Sequence, residues 1–200
     1  MKKQVVVIHG GRTFDTYEQY IWSLENREVD VEKFKFHKSW REGLEQDLGA
    51  DFEVFAPKMP NPNNAVYHEW KIWFERMADF LQDDVILIGH SLGGIFLAQY
   101  LSENIFTKKV KAVFLVAAPF DDVQAEEFLT SFQLPTSLEN FSAQAPNIYL
   151  VFSEDDTVVP FTEVAKYKNA LPGAQIVAFK NRQHFNQESF FELVELIKKI

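Results

Sequence analysis

Val85-Ile86-Leu87-Ile88-Gly89-His90-Ser91-Leu92-Gly93-Gly94-Ile95-Phe96 decides how this chain is read. Four consecutive apolar residues closed by glycine suit a strand covered on both faces, as parallel strands are when helices pack above and below the sheet. Beyond the turn, Leu92, Ile95, Phe96, Ala98 and Leu101 make a helix apolar almost all round, expected near the sheet centre. Ser91 therefore stands on a sharp strand-to-helix turn. Residues two before and two after such a serine must let neighbouring backbone come close, and both are glycine. The plainer alternative is a tight turn whose serine only caps the helix.

Outward from that turn, short β-branched or aromatic runs alternate with longer helical patterns, the signature of βαβ units. Strands are expected at residues 4–9, 52–56, 85–89, 110–117, 148–153 and 174–179. Apolar residues at 66, 70, 73, 74, 77, 80 and 81 paint one helical stripe, and further helices are expected at 91–101, 161–171 and 187–200. The expected architecture is α/β, a three-layer α/β/α sandwich with a mostly parallel sheet of about six strands. No repeat, low-complexity tract or linker interrupts it, so one domain is expected over 1–200. Two connections are longer than a crossover needs, 12–48 and 119–146. The first is expected to hold helical pieces at 17–24 and 31–47, the second one at 123–132. Both begin at the carboxyl end of a strand, where ligands bind in open α/β sheets.

Composition narrows the chemistry. The 200 residues are 46% apolar and 24% charged, enough for a real core without metal or disulfide staples. There is no Cys, which excludes a disulfide framework, a thiolate zinc site and a Cys nucleophile together. A net charge of −9 argues against a nucleic-acid partner, and the basic stretches at 33–41 and 108–111 are interleaved with acidic or apolar residues. The apolar run at 5–8 is too short for a signal segment and nothing approaches a membrane span, so a cytoplasmic location away from membranes is expected. Only eight residues are Gly, and Gly10, Gly11, Gly89, Gly93 and Gly94 fall in just two turns.

A serine hydroxyl is inert at neutral pH without a base. Of the five histidines, His184 follows the last strand and precedes the last helix, at the same carboxyl edge as Ser91. His9 and His90 flank the two glycine-rich turns with side chains expected to point inward, while His37 and His68 fall in helical stretches. Glu154, Asp155 and Asp156 follow the fifth strand and emerge at that edge too, where a carboxylate orients an imidazole. The chain order serine, acid, histidine is that of the α/β-hydrolases. Trp22, Trp40, Trp70 and Trp73 are expected to seal helices onto the sheet rather than stack on substrate.

Together, Gly89-His90-Ser91-Leu92-Gly93-Gly94, Asp156-Thr157-Val158-Val159-Pro160, Gln183-His184-Phe185 and His9-Gly10-Gly11 resemble the α/β-hydrolase superfamily, over essentially the whole chain from Val5 to Ile200. The short length and Lys58-Met59-Pro60-Asn61-Pro62 resemble, within it, the small capless serine hydrolases related to retinoblastoma-binding protein 9. The resemblance implies a fold without a separate cap. It implies Asp156, four residues before Pro160, as the acid, with Asp155 the fallback and Glu154 an ordinary loop residue. It implies an oxyanion hole made by the backbone N–H groups of Leu92 and Gly11. Arg12 departs from the small or apolar residue common beside that turn, and reads either as an anchor for a substrate carboxylate or as a surface partner of Asp15 or Glu18.

The expected reaction is a two-step acyl transfer to water without metal or organic cofactor. Ser91 attacks a carbonyl, His184 takes and returns the proton, and Asp156 fixes the imidazole tautomer. The expected substrate is a small molecule bearing a carboxylic ester, with thioester or amide next. Its pocket is expected to be lined by Arg12, Thr13, Phe14, Pro119, Phe120, Val158, Val159 and Phe185. Two rival readings use the same residues: a non-catalytic binding or receptor-like protein on this fold, and a lyase or cofactor-free perhydrolase.

Overall fold

The continuous apolar runs pair with one another side by side and in parallel. The computed structural model of the chain describes residues 2–35, 37–122 and 128–200. Among the described residues six strands are formed: β1 (Lys3–Ile8), β2 (Phe52–Phe55), β3 (Val85–His90), β4 (Val110–Val116), β5 (Ile148–Ser153) and β6 (Gln175–Phe179). They make one sheet in the order β2-β1-β3-β4-β5-β6, every neighbouring pair parallel. The chain moves outward from β1 to β2, then crosses back to place β3 on the other side of β1. The order therefore reverses between β1 and β3, and the crevice at such a reversal lies beyond the carboxyl ends of the strands. Both glycine-rich turns, Gly10-Gly11 and Gly93-Gly94, sit there.

Strand side chains alternate between two cores, as the period of two requires. Val6, Ile8, Val85, Leu87, Val113, Leu115, Leu150 and Phe152 face one core, which also holds Trp70 and Phe74 of α3 (Tyr67–Ala78) and Ile95, Phe96 and Leu97 of α4 (Leu92–Glu103). Phe141 of α5 (Glu139–Gln144) and Tyr167 of α6 (Glu163–Ala170) complete it. Val5, Val7, Ile86, Ile88, Phe114, Val116 and Val151 face the other, closed by Trp40 and Leu44 of α2 (Trp40–Leu48) and by Leu193, Val194 and Ile197 of α7 (Phe191–Lys198). All of α4 from Leu92 to Ser102 is buried, which is why its sequence shows almost no polar face. Truncating a ring such as Phe96 to alanine would cost about 3–5 kcal/mol. Among the described residues, no helix is long and apolar enough to cross a membrane.

Four expectations need correction. The single helical piece at 31–47 is instead a 3-10 turn at Val31–Phe34 followed by α2, which leaves His37 exposed in a loop. The break lies at Ser39, where the Ser39 N–H donates to Glu42 Oε2 at 2.7 Å in a capping box that starts α2. Of the helix expected at 123–132, residues 123–127 lie outside the described residues. The remainder is a turn, with the Phe132 N–H donating to the Leu129 carbonyl at 2.8 Å, and the helix of that connection is α5 further on. Trp40 and Trp70 do seal helices onto the sheet, but Trp22 and Trp73 are 66% and 46% exposed. Trp22 belongs to α1 (Tyr17–Asn26), which buries none of its residues, so no core is there for it to seal.

Candidate active site

The turn between β3 and α4 is built by close backbone approach. A Cβ on Gly89 would stand 2.3 Å from the Gly93 carbonyl oxygen, and one on Gly93 would stand 2.3 Å from that of Ile8. No side chain fits at either position. Ser91 itself carries φ 55°, a left-handed conformation costly for a residue with a Cβ. It is held by its N–H donating to the Val116 carbonyl and by its own carbonyl accepting from the Gly94 N–H, both at 2.8 Å. This strain lifts the hydroxyl out of the sheet edge toward the turn after β1. A Cβ on Gly10 would meet Ser91 Cβ at 3.1 Å and Oγ at 3.5 Å, so glycine there leaves room directly beside the hydroxyl.

His9 shapes that neighbouring turn. Its ring Nδ1 lies 2.6 Å from the Gly10 carbonyl and its Nε2 accepts the Met59 N–H at 2.9 Å, which places the proton on Nδ1. Burial pushes its pKa below the ordinary histidine value. The Arg12 N–H donates to the Pro62 carbonyl and the Ala65 N–H donates to the Arg12 carbonyl, tying the turn to 58–65. The Leu92 N–H, at the first residue of α4, has no intrahelical acceptor. Gly11 and Leu92 both line the cleft that opens over Ser91.

His184 reaches this edge from the loop after β6. Its Nδ1 lies 2.9 Å from Asp156 Oδ2, with the two side chains 13% and 1% exposed. Asp156 Oδ1 accepts the backbone N–H groups of Val158 and Val159 at 2.8 and 3.0 Å, so the carboxylate is fully engaged. A carboxylate facing Nδ1 keeps the proton there and leaves the Nε2 lone pair free. Asp155 does different work: its Oδ1 accepts from Ser153 Oγ at 2.6 Å and from the Gln183 N–H at 2.8 Å. The Ser153 bond, followed by that of Gln183, holds its carboxyl below the usual range. The His184 ring packs against that of His90, centroids 5.0 Å apart, beside the residue that precedes Ser91. Among the described residues no hydrogen bond joins Ser91 Oγ to His184. Such contacts are often long before substrate binds.

The cleft is narrow and lined by Gly11, Arg12, Thr13, Pro119, Val158 and Val159, together with Ser91, Leu92, Phe128 and Leu129. Three expected lining residues do not reach it. Phe185 is 1% exposed and packs on Phe179 and Phe190 in the core beneath α7. Phe120 turns its ring edge-on to Tyr167, 4.9 Å away, while its N–H donates to Glu163 Oε2 at 2.7 Å. Phe14 packs against Tyr20 at 5.5 Å. Phe128 and Leu129 escaped the sequence reading because they sit in the stretch expected to be helical. Thr13 Oγ1 donates to the Phe128 carbonyl and joins the two long connections across the cleft. Among the described residues no three His, Asp or Glu side chains converge as a metal-binding group.

Comparison with known proteins bears on the family and the fold. A family model described as serine hydrolase matches residues 35–200. The chain is 34% identical over 164 residues to a rat (Rattus norvegicus) protein, serine hydrolase RBBP9, covering 80% of this chain and 83% of that one. It is 23% identical over 163 residues to the putative hydrolase YdeN of Bacillus subtilis (strain 168), covering 81% and 75%. The crystal structure of the ydeN gene product superposes with a TM-score of 0.78 at 20% identity, over 99% of this chain and 98% of that one. A Nitrososphaera gargenis structure described among carboxylesterases superposes with a TM-score of 0.61 at 13% identity, over 99% and 89%. At such identities the likeness of structures shows a shared fold.

Proposed function

The chain belongs to the serine hydrolase family and has the α/β-hydrolase fold, and from that premise we propose that it hydrolyses carboxylic esters of small molecules through Ser91, His184 and Asp156. The observation that carries the reading is the Asp156–His184 pair at 2.9 Å, packed against His90, the residue that precedes a serine on a left-handed turn. Asp156 keeps the His184 proton on Nδ1, so Nε2 accepts the Ser91 proton as Oγ attacks the carbonyl carbon. The negative oxygen of the tetrahedral species is received by the N–H groups of Gly11 and Leu92. As it collapses, the C–O bond to the alcohol breaks and His184 returns the proton to the leaving oxygen. Water then attacks the acyl-serine by the same route and releases the acid. A narrow cleft walled by Pro119, Leu129, Val158 and Val159 supports a short apolar acyl group. Ester precedes thioester and amide because its leaving group needs less help.

Turnover of p-nitrophenyl acetate, with and without Ser91→Ala, tests the reading. Activity abolished by Ser91→Ala, together with a fluorophosphonate mass shift mapped to Ser91, supports it. Full activity in Ser91→Ala, or labelling elsewhere, would falsify it.

A further inference from the structure

The long connection 12–48 acquires a role through α2. Trp40 and Arg41, adjacent at its N-terminus, connect to the loop that carries His184, Trp40 directly and Arg41 through His90. The Trp40 Nε1–H donates to the Phe185 carbonyl at 2.9 Å across a buried contact, and the Trp40 backbone N–H donates to the Gln187 carbonyl at 2.9 Å. Arg41 Nη1 lies 3.1 Å from His90 Nδ1, and His90 Nε2 lies 2.8 Å from the His184 carbonyl. A guanidinium only donates, so Nδ1 of His90 must offer a lone pair. The single proton of the neutral ring then sits on Nε2, where it donates to His184.

We propose that Arg41 and His90 are positioning residues: Arg41 fixes the tautomer in which His90 holds the His184 backbone, and this seats the imidazole for proton transfer. The proposal rests on the reading of His184 as the base.

The His184 loop needs such ties. Gln183 and Phe185, on either side of His184, have φ values of 46° and 53°, a conformation that residues other than glycine adopt only when their surroundings impose it. Asp155 ties down the Gln183 N–H, Trp40 the Phe185 carbonyl and His90 the His184 carbonyl, so each of these three consecutive residues has one backbone group held from outside the loop. His90 is buried, and the charged or titratable groups facing it are Arg41 from α2, His184 from the last loop and His9 from the turn after β1. Burial, then the His184 and Arg41 charges, holds its pKa well below the ordinary histidine value, so the ring is neutral as the relay requires. Trp40 stands edge-on to the same ring at 6.3 Å and closes it from water. Displacing a catalytic group by about 1 Å costs on the order of a hundredfold in rate.

The test is a double-mutant cycle. Glutamine at position 90 carries an amide donor near the place of Nε2 and has no tautomer to choose. Arg41→Met alone is expected to lower kcat about tenfold to a hundredfold with KM within about twofold. His90→Leu should do the same, while His90→Gln restores activity to within about tenfold of wild type. Arg41→Met added to His90→Gln should cost less than about threefold. Equal cost of Arg41→Met in both backgrounds, or a loss confined to KM, overturns the proposal. Nitrogen-resolved NMR of the wild-type imidazoles decides independently of how variants fold: His90 is expected neutral with its proton on Nε2 from pH 5.5 to 8. A proton on Nδ1, or an imidazolium in that range, overturns the relay. If Ser91→Ala keeps full activity, the hydrolase reading fails by itself, and the NMR result still judges the Arg41–His90 pair.

Discussion

Asp156 meets His184 with one carboxylate oxygen and the backbone with the other: Oδ2 lies 2.9 Å from Nδ1, while Oδ1 accepts the Val158 and Val159 N–H groups. Because Oδ1 is committed to those N–H groups, Asp156→Asn must turn its NH2 toward the imidazole, which drives the proton from Nδ1 to Nε2. The expected result is a fall in kcat of about 10⁴ with the fold intact. Asp155→Asn keeps the Oδ1 acceptor used by Ser153 and Gln183 and should cost less than about tenfold. Steady-state kinetics of the two variants on one ester separates these roles, and equal losses would contradict them.

Space rather than chemistry limits the glycine turn. A Cβ at Gly89 would press on a backbone carbonyl at 2.3 Å, whereas one at Gly173 meets nothing within 4 Å. Gly89→Ala is expected to lose about 3 kcal/mol of stability. Gly173→Ala should gain about 0.4–1 kcal/mol by restricting the unfolded chain. Urea unfolding midpoints measure both, and a neutral Gly89→Ala would mean the turn is looser than its contacts.

His90 and His9 are both held below the ordinary histidine value, chiefly by burial. In acid the unfolded chain binds protons that the folded chain refuses. Stability is therefore fully present above the unfolded value of about 6.5 and is lost as pH falls below it, down toward the lower folded values. His90 alone contributes a slope of about 1.4 kcal/mol per pH unit in that window. Unfolding free energies from pH 7.5 to 5 should show this decline, and His90→Gln should flatten it. An unchanged slope in that variant would place the proton uptake elsewhere.

Leu129 is buried in the cleft wall, 5% exposed, in a segment tied to Thr13. Leu129→Ala should admit longer acyl chains, raising the butyrate-to-acetate ratio of kcat/KM about fourfold for each methylene accommodated. Competition between p-nitrophenyl esters measures the ratio directly. A fall in activity on both esters without a change in ratio would remove Leu129 from the acyl site.

Most of the fold and part of the candidate site were legible because they are local. Continuous apolar runs announced strands covered on both faces, and glycines two before and two after Ser91 announced a turn that no other residue fits. The start of α2 was missed although Ser39 and Glu42 stand at capping-box spacing, because the reading ran one helical piece through them. The six residues of α5 are too few to show a helical period. Phe185 was misread as lining because its burial against Phe179 and Phe190 is a tertiary contact that its place beside His184 does not reveal.

By itself the sequence determined the element order, the parallel sheet, the chain order of serine, acid and histidine, and the placing of scarce glycines beside Ser91. Those features depend on residues within a few positions of one another, where period and backbone sterics act. Only the tertiary structure decided that Asp156 rather than Asp155 faces His184, that Phe128 and Leu129 close the cleft, and that Trp40 reaches Phe185 from 145 positions away. Adjacent carboxylates on a turn share one local environment but point in different directions. A contact between distant elements leaves no periodic trace, because it is set by how the helices pack on the sheet.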